Sequence, residues 1–312
     1  MRRPQGGVRA GALGLLLLLA PGAGAATPLA VIEVAPGVFV HQGRHEEFTP
    51  DNAGGIANLA FVVGGKSVAV IDTGGSRGEG EALLEAIRAR TSLPVSHVVN
   101  THVHPDHLFG NAAFRDGGGA AVVVGHAKLL ERLAEAGPYY LSNLRGLLGA
   151  AFAGTEPVPP TLTVADEASV DLGGRVLRLR AWPTAHTDTD LTVLDEATGT
   201  LFAGDLLFME RIPVVDGSLL GWLAVMEELQ ALPAARVVPG HGPPSAAWPE
   251  ALRPQRVYLA SLRDQVRAAL KGNRTLEQAV AGVALPPGQS WLLAEENHPR
   301  NVTASFTELE WE

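Results

Sequence analysis

The chain has 312 residues, 46% apolar and 18% charged, with 36 glycines, 22 prolines and no cysteine. That composition excludes a disordered, collagen-like or coiled-coil chain, and the missing cysteine excludes thiolate nucleophiles, disulfides, iron–sulfur clusters and thiolate zinc sites. A formal charge of −9, from 24 basic and 33 acidic residues, gives no support to a phosphate-backbone partner, so no nucleic acid is expected.

Residues 1–25 read as an export signal. Arg2, Arg3 and Arg9 precede an apolar run over 11–20, and small residues follow at Ala23, Gly24 and Ala25, so cleavage is expected after Ala25. The run is about half of the ~20 residues that a spanning helix needs. No stable membrane insertion is therefore expected after cleavage, which also makes the chain more acidic. VIEV and VFVHQ then flank Pro36-Gly37, and IANLAFVV and SVAVID flank Gly64-Gly65, which predicts two antiparallel hairpins. Ser76 and Glu79 form a capping-box pattern, and Leu83, Leu84 and Ile87 recur at helical spacing, predicting a helix over 77–90 that feeds a strand at 96–100. Further strands are expected at 121–124, 175–182, 191–195, 200–204 and 236–240, with helices near 126–135 and 219–232. The segment 137–160, with two tyrosines and three late prolines, reads as a long surface insertion that rims a pocket. Mixed antiparallel and crossover-connected strands predict an α/β domain over 28–247, its sheets covered by helices. From Trp248 onward Leu252, Leu259, Leu262, Val266 and Leu270 make one apolar stripe and Gly272 a stop, so 248–312 is expected to be a helical extension packed on the same domain.

The chemistry concentrates in Thr101-His102-Val103-His104-Pro105-Asp106-His107, directly after a predicted buried strand. A loop leaving a strand can turn alternate side chains inward together, so this spacing offers up to four borderline or hard ligands within six residues. Taken alone, a histidine such as His97 or His126 is more simply a hydrogen-bonded core imidazole. His186 in TAHTD, Asp205 in FAGD and His241 in PGHG are further candidates, with glycines that would permit tight turns before Asp205 and His241.

In this order, Asp72 in VAVIDTG, the 102–107 cluster, His186, Asp205 and His241 resemble the motifs of the metallo-β-lactamase superfamily over roughly 31–243. That resemblance implies an αββα sandwich with a binuclear site at one edge. It implies His102, His104 and His186 as ligands of one metal, Asp106, His107 and His241 as ligands of a second, and Asp205 as the bridging carboxylate, with Asp72 orienting the histidine loop. Two zinc ions are expected, with iron or manganese as alternatives, and a bridging hydroxide as nucleophile that Asp106 helps to orient. Longer strings, GRHEEFTPDNAGGIAN, NTHVHPDHLFGNAAF, TAHTDTDLTVLD, DGSLLGWLAV and HPRNVTASFTELEWE, are similar to quinoprotein relay system zinc metallohydrolases, which are related to hydrolases of sulfur-oxidation gene clusters. This closer similarity implies a periplasmic setting and a functional link to quinoprotein dehydrogenases.

Asp205 stands where true β-lactamases carry cysteine or serine, and only three lysines are present, which favours neither antibiotic hydrolysis nor a glyoxalase. The expected activity is thus exported dizinc hydrolysis of an ester, thioester, lactone or similar small molecule. The alternatives are a mononuclear iron oxygenase of persulfide dioxygenase type and a non-catalytic metal-binding accessory protein. His41, His45, Glu46, Glu47 and Phe48 lie in the loop after the first hairpin, where they either touch substrate or serve as turn residues; His298 is equally open.

Overall fold

The computed structural model describes Met1 and residues 26–117 and 121–312. Of the expected export signal over 1–25, residues 2–25 lie outside the described residues. Strands β1 (Ile32–Ala35), β2 (Val38–His41), β3 (Leu59–Val63) and β4 (Val68–Ile71) pair antiparallel through the two expected hairpins. Helix α1 (Arg77–Arg88) then carries the chain to β5 (Val95–Val99), parallel to β4. Helices α2 (Pro105–Leu108) and α3 (Asn111–Gly117), β6 (Val122–His126), α4 (Leu129–Leu148) and β7 (Leu162–Val164) complete a seven-stranded sheet ordered β1 to β7.

The second sheet holds β8 (Glu167–Asp171), β9 (Val176–Ala181), β10 (Leu191–Asp195), β11 (Thr200–Phe208), β12 (Arg236–His241) and β13 (Ala246–Ala247), in that spatial order. Its single parallel pair, β11 with β12, is joined through α5 (Leu219–Leu229). Helices α6 (Arg253–Lys271), α7 (Leu276–Gly282) and α8 (Ala294–Leu309) follow.

Period-two alternation makes the layers. Val38, Val40, Ala60, Val62, Ala69 and Ile71 face Leu177, Leu179, Val193 and Phe202 of the other sheet. Their sequence neighbours Leu59, Phe61, Val68 and Val70 turn outward onto Leu83, Leu84 and Ile87 of α1. On the far side, Leu201, Ala203 and Val237 pack with Trp222 of α5, Tyr258 and Leu262 of α6, and Val302 and Phe306 of α8. The order is therefore helices, sheet, sheet, helices, and the C-terminal helices share one core with the second sheet.

Four expectations change. The helix expected near 126–135 starts at Leu129 and runs through Gly137-Pro138 to Leu148, so half of the expected insertion over 137–160 belongs to this helix. Pro138 removes one backbone donor, but Leu133, Leu144 and Leu148 pack against Val103, Leu108 and Phe109, and that burial holds the helix together. The capping box is half formed: Ser76 Oγ accepts from Glu79 N, while the Glu79 carboxylate accepts from Gly75 N instead of Ser76 N. The strand expected over 200–204 continues to Phe208, placing Asp205 inside it. Strands β7 and β8 have no counterpart in the sequence reading, because both are short and largely exposed.

Candidate metal centre

Three buried strands end on one edge of the sandwich and aim the ligands. The turn after β5 delivers His102 and His104, and Pro105 opens α2 with Asp106 and His107 in its single turn. His186 comes from the loop between β9 and β10, and His241 is the last residue of β12. Asp205 lies within β11 where the pairing with β12 becomes irregular, and Gly204 there takes φ +51. A Cβ at Gly240 would fall on the Asp205 carboxylate. Gly240 thus serves close approach between β12 and β11 rather than a turn, while Gly204 takes a positive φ at the irregularity and leaves room for the Thr101 side chain.

The structure brings all seven sequence candidates together in two groups, His102, His104, His186 and Asp205, and Asp106, His107 and His241, the ligand atoms of each lying within 4.8 Å of one another. His104 Nδ1 is 3.1 Å from both His102 Nε2 and His186 Nε2. Asp205 joins the groups: Oδ2 is 3.4 Å from His186 Nε2 and from His241 Nε2, and Oδ1 is 3.2 Å from His107 Nε2. Asp106 Oδ2 lies 3.4 Å from His241 Nε2 and 3.6 Å from His107 Nε2.

The far side of each ring is fixed. Asp72, at φ +59 after β4, accepts from Thr101 N and Oγ1 at 2.8 Å and from His107 Nδ1 at 2.8 Å. His186 Nδ1 donates to Val214 O and His241 Nδ1 to Ile56 O, both at 2.8 Å, and His104 Nε2 to Asp216 at 2.9 Å. With those nitrogens protonated, the inward ones present lone pairs. His107 Nε2 and Asp205 Oδ1 are buried, face each other, and have no other hydrogen-bond partner among the described residues. A proton or a metal cation between them satisfies both atoms, and imidazole with carboxylate suits a divalent metal. The 3.1 Å nitrogen separations approach the roughly 3.3 Å edge of a tetrahedron with ~2.0–2.1 Å metal–nitrogen bonds.

Electrostatics agree. Burial lowers His102 well below the ordinary imidazole range and His186 to about 4, keeping both neutral. Burial alone would raise Asp205, but His241, His107 and His102 hold it well below the usual carboxylate range. Burial alone would lower His107, yet Asp205, Asp106 and Asp72 more than reverse it, so positive charge is favoured where those carboxylates meet. Phe208 stacks on His241 at 5.1 Å, and Trp222 lies 5.3 Å from His186, so the walls are apolar.

Beside the ligands is a cavity of about 510 Å³ lined by Glu47, Phe48, Tyr140, Leu144, Arg211 and Arg300 among others. Of the open residues in the loop after the first hairpin, Glu47 and Phe48 line it. His41 is instead the last residue of β2 and binds Ala30 O, His45 pairs with Glu210, and Glu46 accepts from Asn52. His298 lies away from this cavity, between Tyr258 and Val283 O. His97 and His126 also stand apart, bonded to Ser96 Oγ and Lys128 N. Sequence reasoning missed Asp216, Arg211, Asn297 and Arg300. Asp216 and Arg300 stand within the quoted DGSLLGWLAV and HPRNVTASFTELEWE strings, without a spacing that exposes their roles.

Residues 53–241 match the profile of the metallo-β-lactamase superfamily. The chain is 25% identical over 255 residues to a linear primary-alkylsulfatase from Pseudomonas sp., covering 70% of this chain and 48% of that protein, so it spans about half of that relative's length. It is 30% identical over 231 residues to human metallo-beta-lactamase domain-containing protein 1, covering 68% of this chain and 71% of that one. A metallo-beta-lactamase from Pontibacter korlensis superposes with TM-score 0.60 at 23% identity, over 74% of this chain and 99% of that one. A sec-alkylsulfatase from Pseudomonas sp. superposes with TM-score 0.67 at 15% identity, over 90% of this chain and 50% of that one; both superpositions bear on fold alone.

Proposed function

The chain belongs to the metallo-β-lactamase superfamily of metal-dependent hydrolases, and from that premise we propose an exported dizinc hydrolase that cleaves an ester, thioester, lactone or similar small molecule. The observation that carries it is Asp205, one buried carboxylate in contact with the histidines of both ligand groups. A complete second group, Asp106, His107 and His241, favours a two-metal site over the mononuclear iron oxygenase. The alkylsulfatase relative brings sulfate esters into the same substrate class. The periplasm and a link to quinoprotein dehydrogenases belong to the same proposal, supported by the basic and apolar start of the sequence and by the family strings.

His102, His104, His186 and Asp205 would hold one cation, and Asp106, His107 and His241, with Asp205 shared, the other. Cations held there would acidify water and polarise the scissile bond. The chain's own residues do the positioning. Asp72, Val214 O, Ile56 O and Asp216 hold the outer ring nitrogens, so four imidazoles keep their inward lone pairs aimed. Asp106, buried on the wall, would also help to orient the attacking water. Phe208 and Trp222 keep bulk water off the back of the ligands, which strengthens every charge interaction inside.

The test is metal analysis of protein purified without added metal, followed by a panel of carboxylic, thio-, lactone and sulfate esters. Two equivalents of zinc and metal-dependent turnover of one class are expected; a single iron with oxygen consumption would overturn the proposal. Mass spectrometry of the periplasmic fraction should find a chain beginning at Ala26, and an intact Met1 terminus in the cytosol would refute export.

A further inference from the structure

The cavity beside the ligands has two kinds of wall. Helix α4 supplies Tyr139, Tyr140, Leu144 and Leu147, of which Tyr139 and Leu147 are exposed. Large apolar side chains open to solvent at the mouth of a small-molecule cavity are suited to an apolar part of a ligand. Arg211, Asn297 and Arg300 supply the other kind. Asn297 and Arg300 are three residues apart on α8 and share a face. Arg211, just beyond β11, bridges to Leu292 ahead of α8, so the three belong to one unit.

Arg211 is 6% exposed and poorly satisfied. Its Nη1 donates to Glu46 O at 3.3 Å, its Nη2 lies 3.6 Å from Glu47 Oε1, beyond hydrogen-bond reach, and its Nε has no partner among the described residues. Burying a guanidinium with so few acceptors costs stability unless another acceptor arrives. The acids facing this wall do not meet that need. Asp216 is committed to His104 and Arg300, and Glu47 is half-exposed and shared with Asn297. A guanidinium presents about five N–H donors in a planar fork, which matches paired oxygens on carboxylate or sulfate.

We propose, resting on the hydrolase reading above, that this enzyme selects amphiphilic anionic substrates: an apolar group lies on α4 and an anionic group on Arg211, with Arg300 and Asn297 completing the anion wall. The C-terminal helix thereby sets specificity, although it lies outside the matched superfamily profile. The competing role is purely structural, with Arg211 pinning the loop at Glu46.

The experiment uses the full, metal-loaded enzyme and two esters of equal chain length, mono-4-nitrophenyl glutarate and 4-nitrophenyl pentanoate. The wild type should favour the glutarate at least tenfold in kcat/KM, and Arg211→Met should bring that ratio near one, with Arg211→Lys between. Should Arg211→Met fail to fold, Arg300→Gln, at a half-exposed position, should lower the same ratio severalfold. Calorimetric titration with 4-propylbenzenesulfonate supplies a readout without turnover: Arg211→Met should weaken its binding at least tenfold. Ratios and sulfonate affinities that these substitutions leave unchanged would overturn the proposal. If neither ester is cleaved by any metal-loaded form but sulfonate binding still depends on Arg211, the hydrolase reading fails and the anion wall stands.

Discussion

Asp205 is the residue on which both halves of the centre depend, since its Oδ2 reaches His186 of one group while its Oδ1 and Oδ2 reach His107 and His241 of the other. Asp205→Ala should therefore lose bound metal and turnover together, by at least a thousandfold in rate, or about 4 kcal/mol of barrier. Two tightly held ions and full activity in that variant would remove the bridging role. Asp72 acts one bond further out, and Asp72→Asn should weaken metal binding roughly 10–100-fold in a chelator competition, the usual effect of losing a carboxylate behind a histidine ligand. Glu79 is a different case. Burial pushes its carboxyl from 4.5 up to about 8, and Oε1 has no partner among the described residues. A carboxyl raised in the folded state binds a proton that the unfolded chain has released. Its contribution is present below about pH 4.5 and is lost as pH rises toward 8. Glu79→Gln should flatten the fall in stability between pH 5 and 8 in denaturant titrations of the metal-free chain, and an unchanged slope would assign that fall to other groups.

Among elements, α8 does more than cover the second sheet. Asn301 is buried, accepts from Val215 N at 2.9 Å, and donates to Pro213 O at 2.6 Å and to the Tyr258 hydroxyl at 2.9 Å. The segment it clasps carries Val214, whose carbonyl fixes His186, and Asp216, which fixes His104. A helix outside the ligand set thus sets the aim of two ligands. Asn301→Leu leaves a backbone donor and a carbonyl buried without partners, at about 1–3 kcal/mol each. The midpoint of thermal unfolding should drop by several degrees, and zinc affinity should fall with it. Lower stability with unchanged zinc affinity would show that α8 braces the fold without aiming the ligands. The helix α4 shows the reverse influence of packing on local sequence: Pro138 sits inside it because a buried leucine face outweighs one missing hydrogen bond.

At the scale of the whole molecule, two sheets with helices outside leave one edge where β5, β11 and β12 end, and the ligands accumulate there. Catalysis that depends on this assembly should vanish on chelation and return with zinc. It should survive Ser142→Ala, since a serine nucleophile has no part in it, and a metal-free protein hydrolysing at its original rate would refute the dizinc reading. The candidate residues that the fold brings together were readable because seven polar residues in short motifs stand out against strands that are otherwise apolar. The paired hairpins were equally readable, since their alternation and turn residues are local signals. Half of the helix α4 was not, because Gly137-Pro138 is a local stop signal that long-range burial overrides. Strands β7 and β8 were not, because exposed edge strands carry little hydrophobic pattern. Nor was the polar wall of Arg211, Asn297 and Arg300, whose members lie up to 89 residues apart in the chain and acquire meaning only when α8 docks beside β11. Sequence by itself determined which chemistry the chain carries, because metal ligation depends on residue type and short spacing. Tertiary structure alone decided how Asp205 joins the two groups, which atoms hold each imidazole, and what flanks the substrate, because those are set by distances between segments that the chain brings together only on folding.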